Sequence, residues 1–291
     1  MQEEGYLDLM KTILERGEER TGRNGMTKSI FGNRLEFDLR KGFPLLTTKR
    51  VFWRGVAEEL FWFLRGSTNA NELKEKGIHI WDGNSTREFL DSVGLSDVPE
   101  GHIGAAYGYQ WRYSGADFPS TKNGIDQLRY LLTELTMNPH GRRAVLNAWN
   151  PKQLHLMALP PCHMTYQFYI GAGGLSCQMM MRSCDVGAGL PFNIASTALF
   201  THLMANVLHV EAHRIIVIMG DTHIYEEHFE SAHQQIERVP YEPPSLVIKK
   251  APPPKEADIT EKLHWLETLT MEDVEMYNYI YHPPLKYAMV V

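Results

Sequence analysis

A tight hairpin in the second half of the chain most constrains how this sequence can fold. Two strand-like runs, over residues 163–170 and 175–182, are separated only by Gly171-Ala172-Gly173-Gly174. A glycine-rich connection of this length favours an antiparallel hairpin, because glycine adopts the backbone angles of tight turns at little cost. The hairpin therefore brings Arg182, at the end of its second strand, back beside the residues that precede its first strand.

A thiol lies at that point of the chain. In Pro160-Pro161-Cys162-His163, two stiff residues stand directly before the cysteine and a strand begins after it. A free cysteine is often a small buried hydrophobe, and a reactive one requires a nearby cation that stabilises the thiolate. Because Arg182 can supply that cation, a buried cysteine and a nucleophile are both open interpretations of Cys162.

Two basic segments are candidates for binding phosphate. Arg182 and Ser183 offer a forked cation and a hydroxyl, although an ion pair between Arg182 and Asp185 is an equal alternative. Arg142 and Arg143 open a strand predicted over residues 142–149. Since adjacent strand residues point to opposite faces, a solvated pair and a phosphate-binding pair both remain open.

Glu59 occupies an unusual place on a strongly apolar helix predicted over residues 52–65. At 100° per residue the apolar side chains share one arc, with Glu58 opposite it and Glu59 at its edge. A carboxylate at that edge is either paired inside the protein or faces a pocket. In a pocket, desolvation would raise its pKa toward general acid or base use.

Three further polar side chains stand next to apolar elements. Asn193 begins a long helix predicted over residues 193–210, where it either caps the helix or reads a ligand. His223 and Tyr225 follow a strand predicted over residues 214–219 and can serve as structural hydrogen-bonding groups.

Recognisable metal and nucleotide motifs are missing from the sequence. It has no CxxC and no HExxH, and His209 and His213 lack a third ligand, so we expect no metal. Neither GxGxxG nor a P-loop occurs, which leaves a dinucleotide fold or an NTPase without support.

The alternation of helical and strand patterns predicts the fold class. It follows no βαβ rhythm, so we expect an α+β fold with a large, mixed or largely antiparallel sheet flanked by helices. The chain contains no repeat or low-complexity linker, which favours a single domain over residues 1–291. The other predicted elements are helices over residues 6–19, 125–137 and 222–235, and strands over residues 35–39 and 245–250.

The composition indicates which partners and which cellular compartment to expect. With 29 Lys and Arg against 35 Asp and Glu, the formal charge is −6, so we expect no DNA binding. The three cysteines, Cys162, Cys177 and Cys184, cannot all pair within one chain, and the N-terminus lacks the features of a signal peptide. No apolar run approaches the ~18 residues that cross a bilayer. We therefore expect a cytoplasmic protein with no membrane contact.

Several motifs, in one order along the chain, resemble those of the thymidylate synthase family. Each is weak alone, but together they run from about residue 6 to the C-terminus. The motifs are Arg20-Thr21-Gly22, Phe43-Pro44-Leu45-Leu46-Thr47-Thr48-Lys49, Glu59-Leu60 with Trp62-Phe63-Leu64, Ile80-Trp81-Asp82, Tyr107-Gly108 with Gln110-Trp111-Arg112, Arg142-Arg143, Leu159-Pro160-Pro161-Cys162-His163, Arg182-Ser183-Cys184-Asp185, Gly189-Leu190-Pro191-Phe192-Asn193-Ile194-Ala195-Ser196 and Gly220-Asp221-Thr222-His223-Ile224-Tyr225.

The resemblance implies a reaction and an assembly. The substrate would be dUMP, and 5,10-methylenetetrahydrofolate would donate one carbon and a hydride, giving dTMP and dihydrofolate. Cys162 would add to C6 of the uracil, which makes C5 the nucleophile that attacks the methylene group. The protein would be a homodimer joined through its sheets.

The resemblance also implies how dUMP is held. Arg20, Arg182 and Ser183 would bind the phosphate, and Arg142 and Arg143 would reach it from the second subunit.

Around the base and the ribose, the resemblance implies five further roles. Asn193 would read the uracil edge, and His223 and Tyr225 would hold the ribose hydroxyl. Glu59 would organise water and relay protons, while Tyr107 would assist removal of the C5 proton.

The folate site is implied in the same way. Asp185 would contact the pterin, and Lys49 would lie near the glutamate tail. The walls of this site would be Ile80, Trp81, Asn84, Leu159, Gly189, Phe192 and the C-terminal Val291.

Some positions depart from the family pattern and leave a second reaction open. Met181 stands where the family ordinarily has Gln, His102 replaces an acidic residue, and Ala105, Ala106 and Ala188 are smaller than usual. A larger pocket would admit water. The main alternative is therefore a hydroxymethylase, in which water captures the methylene group and tetrahydrofolate is released.

Other residues favour methylation of a uracil nucleotide. Trp81 and Leu159, which would shield the methylene intermediate, are retained, and Asn193 in place of Asp disfavours a cytidylate substrate. A non-catalytic nucleotide- or RNA-binding homologue is a third interpretation. It is disfavoured because binding alone does not require Cys162.

Overall fold

A six-stranded mixed sheet organises the protein. The computed structural model describes residues 2–22 and 24–288. The strands of the sheet are β1 (Glu18–Gly22), β2 (Gly25–Asp38), β3 (Val145–Asn147), β4 (His163–Gly171), β5 (Gly174–Asp185) and β6 (Ala212–Tyr225). Their order is β1-β2-β6-β5-β4-β3, with β5 and β6 parallel and the other neighbours antiparallel. A small second sheet pairs β7 (Ser245–Ile248) with β8 (Val274–Tyr277).

Helices flank this sheet and confirm the predicted α+β class. Their bounds in chain order are α1 (Glu4–Arg16), α2 (Trp53–Leu64), α3 (Asn71–Lys74), α4 (Asp82–Ser85), α5 (Arg87–Ser92), α6 (Tyr107–Tyr113), α7 (Gln127–Met137), α8 (Gly189–Val207), α9 (Phe229–Ile236) and α10 (Ile259–Glu267). Within the described ranges, none of them is both long enough and apolar enough to cross a bilayer.

The predicted hairpin forms between β4 and β5. Its register runs from Gly171 opposite Gly174 at the turn to His163 opposite Met181 at the open end. Gly174 adopts a φ of 107°, a backbone conformation that favours glycine and explains the glycine at this turn.

The crossover between the parallel strands β5 and β6 is made by α8. Parallel neighbours require a long connection, and α8 contacts both strands on one side and α2 on another. This helix is apolar around its whole circumference because it is enclosed on several sides. The ring of Phe200, for example, stacks on Trp111 and meets Tyr166 and Phe168 edge-on.

Several predicted boundaries are wrong, and for two of them the reason is long-range pairing that overrides local pattern. The helix predicted from residue 222 begins at Phe229, since β6 continues to Tyr225 between β2 and β5. The helix predicted to residue 19 ends at Arg16, and the residues after Gly17 form β1 against β2.

Substitution of a buried methionine on α8 tests how much this helix contributes to the stability of the core. Met204 is fully buried on α8, whereas Met137 at the end of α7 is 71% exposed. Met204→Ala should lower the free energy of unfolding by about 2–5 kcal/mol, because it removes packed apolar atoms and leaves a cavity. Met137→Ala is the matched control, and its change should stay within about 0.5 kcal/mol. Equal losses in urea denaturation would contradict the assigned core.

Candidate active site

The edge of the sheet where β1, β5 and β6 meet the start of α8 encloses a cavity of about 570 Å³. It gathers residues that lie far apart in the sequence. Among those predicted as site residues, its lining includes Arg20, Asn84, Leu159, Cys162, Arg182, Ser183, Asp185, Gly189, Asn193, His223 and Tyr225.

Cys162 and Arg182 are neighbours in this cavity, as the hairpin predicted. The guanidinium donates from Nε to the Pro161 carbonyl at 2.9 Å and from Nη2 to the Pro160 carbonyl at 2.8 Å, and Nη2 lies 3.9 Å from Cys162 Sγ. Burial raises the pKa of the Cys162 thiol, and the positive charge of Arg182 opposes that rise. The guanidinium also lies 5.5 Å from the ring of Trp149. Arg182 thus stabilises a thiolate at this position.

Glu59 is half-buried on α2 and is not among the residues that line the cavity. Its Oε1 accepts a hydrogen bond from Trp81 Nε1 at 2.7 Å. Burial raises the pKa of Glu59 to about 7, although the bond from Trp81 acts in the opposite direction. The side chain can therefore both take and give a proton near neutral pH. Its neighbour Glu58, placed on the polar face by the sequence pattern, is instead buried and ion-paired with Lys76 at 2.6 Å.

Tyr107 connects to the thiol through the backbone. Its hydroxyl oxygen accepts a hydrogen bond from the Cys162 N–H at 2.8 Å, and its ring stacks on His163 at a centroid distance of 4.2 Å. Burial raises the pKa of Tyr107 well above its usual value, so its hydroxyl keeps its proton at neutral pH.

Asp221 ties together two predicted binding residues, and the sequence reasoning did not assign it a role. His223 Nδ1–H donates to Asp221 Oδ1 at 2.9 Å, and Arg20 Nη1 pairs with Asp221 Oδ2 at 3.2 Å. In a neutral imidazole, this leaves the opposite nitrogen as an acceptor. The sequence feature that could have indicated a role for Asp221 is its position between Gly220 and His223.

The start of α8 is organised by Asp185. One of its carboxylate oxygens accepts the N–H groups of Gly187 at 2.9 Å and Ala188 at 3.1 Å. The helix begins at Gly189, with Ala188 as its N-cap. The interpretation of Asn193 as the cap is therefore wrong, and its side chain lines the cavity.

Arg142 and Arg143 lie outside this cavity. Both are exposed just before β3, and Arg142 lines a separate groove of about 210 Å³ together with Tyr169 and Arg214. Their predicted action across a subunit interface stays a prediction.

The remaining predicted folate residues are placed as follows. Lys49 is buried, its ammonium donates to the Gly187 carbonyl, and it lies 4.0 Å from the centre of the Tyr287 ring. Burial lowers the pKa of Lys49 to about 8. Ile80 and Phe192 are half-buried against the core, and Val291 lies outside the described residues. In residues 2–22 and 24–288, no cluster of three His, Cys, Asp or Glu side chains could hold a metal ion.

Comparison with known proteins identifies the family of the chain. The family model described as thymidylate synthase matches residues 4–291. A bifunctional dihydrofolate reductase-thymidylate synthase of Leishmania amazonensis is 45% identical over 299 residues, which cover 100% of this chain and 55% of that protein. A probable thymidylate synthase of Schizosaccharomyces pombe is 45% identical over 305 residues, which cover 100% of this chain and 48% of that protein.

The chain spans about half the length of these relatives. The match to the family model nevertheless extends from residue 4 to residue 291. The chain therefore belongs to the thymidylate synthase family.

Proposed function

We propose that the chain catalyses reductive methylation of dUMP to dTMP, with 5,10-methylenetetrahydrofolate as the one-carbon and hydride donor and dihydrofolate as the second product. The observation that carries this proposal is the contact between Cys162 and Arg182 at 3.9 Å in a cavity that Asn193 also lines. Membership of the thymidylate synthase family supports the same reaction.

Cys162 begins the reaction as the nucleophile. The thiolate adds to C6 of the uracil, an S–C6 bond forms, and the electron pair of the C5–C6 double bond moves toward C5 and O4. The new nucleophile at C5 then attacks the one-carbon unit. Loss of the C5 proton is followed by cleavage of the bond between the one-carbon unit and the folate nitrogen. The exocyclic methylene group that remains on C5 accepts a hydride from the folate as the S–C6 bond breaks. This returns the thiolate, which Arg182 stabilises.

Glu59 and Tyr107 handle protons in this scheme. Glu59, with a pKa of about 7, exchanges protons with water beside the base. Tyr107, held by its hydrogen bond from the Cys162 backbone, stands beside the reacting centre and assists removal of the C5 proton.

The lining of the cavity fits both substrates. Arg20, Arg182 and Ser183 supply two cations and a hydroxyl for the phosphate. Asp185 and Asn84 also line the cavity and offer polar groups for a pteridine ring. The folate supplies the one-carbon unit and the hydride when it is bound.

A homodimer is part of the proposal. One face of the sheet exposes apolar side chains on β4 and β5, among them Tyr169 at 64% and Met180 at 41%. Exposed apolar surface of this kind marks association sites. A second copy packed on this face would cover it and would bring Arg142 and Arg143 toward the neighbouring phosphate site.

Two of the residues that motivated hydroxymethylation, Ala105 and Ala106, give that alternative no support. Met181 lines the cavity, but Ala105 and Ala106 are fully buried and are not part of its described lining. These two alanines therefore do not enlarge the described cavity for an attacking water. We retain methylation as the proposed outcome.

Identification of both products tests the reaction. The protein incubated with dUMP and 5,10-methylenetetrahydrofolate should give dTMP and dihydrofolate in equal amounts, because the hydride comes from the folate. Mass spectrometry of the nucleotide and the folate checks this outcome. 5-Hydroxymethyl-dUMP with tetrahydrofolate would establish the alternative reaction, and a lack of any product would indicate a non-catalytic homologue.

Subunit mixing tests whether Arg142 acts across the interface. Arg142→Ala and Cys162→Ser subunits, each inactive alone, should regain about a quarter of wild-type activity after exchange, because half of the dimers are mixed and each mixed dimer has one intact site. Turnover of dUMP measures the recovery.

Cys162→Ser mixed with Arg182→Ala is the matched control for this experiment. Both residues line the cavity of their own chain, so no mixed dimer has an intact site and no activity should return. Failure of the Arg142→Ala mixture after verified exchange would place Arg142 outside the partner's site.

Asn193→Asp tests how the base is read. An amide donates to uracil O4 and accepts from N3–H, whereas cytosine presents an amino donor and an unprotonated nitrogen. The substitution should depress kcat/KM for dUMP by roughly tenfold and raise relative use of dCMP, because each unpaired buried polar group costs about 1–3 kcal/mol. An unchanged dUMP to dCMP ratio in a stably folded variant would contradict the assignment.

A further inference from the structure

The C-terminal segment, residues 282–288, is attached to the body of the protein by a row of hydrogen bonds. The His282 N–H donates to the Thr47 carbonyl at 2.8 Å, and Arg238 Nη1 donates to the Pro283 carbonyl at 2.7 Å. Ser231 Oγ donates to the Lys286 carbonyl at 2.7 Å. These contacts direct the end of the described chain toward the side of α8 at which Asp185 lies.

The last of these bonds comes from His228, which is fully buried. Its Nε2–H donates to the Ala288 carbonyl at 2.8 Å. Its Nδ1 has no hydrogen-bond partner and lies 3.9 Å from Asp185 Oδ1. A buried nitrogen without a partner is costly and calls for an explanation.

Gly187 lets these groups approach one another. A Cβ on Gly187 would lie 2.6 Å from Tyr287 Cδ1 and 3.0 Å from His228 Nδ1. Its own N–H donates to Asp185, and its carbonyl accepts from Lys49. The turn that carries Asp185 therefore lies directly against His228 and the C-terminal segment.

We propose that His228 is a positioning residue that couples the carboxylate of Asp185 to the seating of the C-terminal segment. The proposal rests on the proposed function, in which Asp185 contacts the folate. When the folate fixes the carboxylate, a small displacement brings Oδ1 within hydrogen-bond distance of Nδ1, and one proton taken up from solvent then lies between them. The imidazole is then held at both nitrogens, and Ala288 is held with it.

Two amide substitutions separate the two contacts of His228. In His228→Asn the amide lies near the place of Nδ1 and cannot reach Ala288. In His228→Gln the amide can reach Ala288 and leaves nothing at the place of Nδ1. Coupling needs both contacts, so each variant should raise the KM for 5,10-methylenetetrahydrofolate roughly fivefold, the effect of losing one hydrogen bond. The Kd for dUMP should not change.

A second readout follows the C-terminal segment without turnover. Carboxypeptidase release of C-terminal residues from the wild-type protein should slow roughly fivefold when dUMP and dihydrofolate are both added. This protection should be lost in both His228 variants. His202→Gln is the control, because His202 is another histidine packed among apolar side chains, with its ring on Phe43, and it should retain full protection.

The outcomes decide between coupling and simple anchoring. A His228→Gln variant that behaves as wild type would show that His228 only anchors Ala288, and protection that persists in both variants would overturn the proposal. If either variant does not fold, Gly187→Ala tests the same contact by displacing Tyr287 and His228. Protection in a wild-type protein that makes no product would refute the proposed function alone, while turnover without protection would refute the coupling alone.

Discussion

The interaction on which the site depends is the attachment of Arg182 to the segment that carries Cys162. The backbone N–H of Arg182 donates to the Cys162 carbonyl at 3.0 Å, and the guanidinium donates to the carbonyls of Pro160 and Pro161. Prolines cannot donate backbone hydrogen bonds, but their carbonyls accept them. The same side chain therefore fixes the irregular segment and supplies the positive charge beside the thiol.

The parallel pairing of β5 and β6 brings together the residues proposed to hold the phosphate and the ribose. Its register places Ser183 opposite Asp221 and Asp185 opposite His223. Groups proposed to hold the phosphate and the ribose thus lie next to each other by strand pairing alone. Because α8 follows β5 directly, the same register brings Asn193 to the cavity.

Local patterns predicted the parts of the structure that depend on local chemistry. The glycines of the turn predicted the β4–β5 hairpin, and the helical phase separated Glu59 from its neighbours. The same phase misplaced Glu58, whose burial depends on an ion pair with Lys76. No periodicity within one helix reports such a partner from another segment.

Features of the structure that depend on contacts between distant segments could not be predicted from local patterns. The extension of β6 to Tyr225 requires partners on both sides, from β2 and β5. The contact of His228 with Ala288 joins two distant segments of the chain. The roles proposed for Arg142 and Arg143 would require a second subunit, so neither the pattern of one chain nor its fold could reveal them.

The covalent role of Cys162 is the central claim, and mass spectrometry tests it most directly. Protein mixed with dUMP and 5,10-methylenetetrahydrofolate and denatured in acid during turnover should carry the mass of the nucleotide on the peptide that contains Cys162. The peptides with Cys177 and Cys184 should remain unmodified, since both thiols are fully buried and burial raises their pKa values. Wild-type turnover by Cys162→Ala, or an adduct on Cys184 instead, would contradict the account.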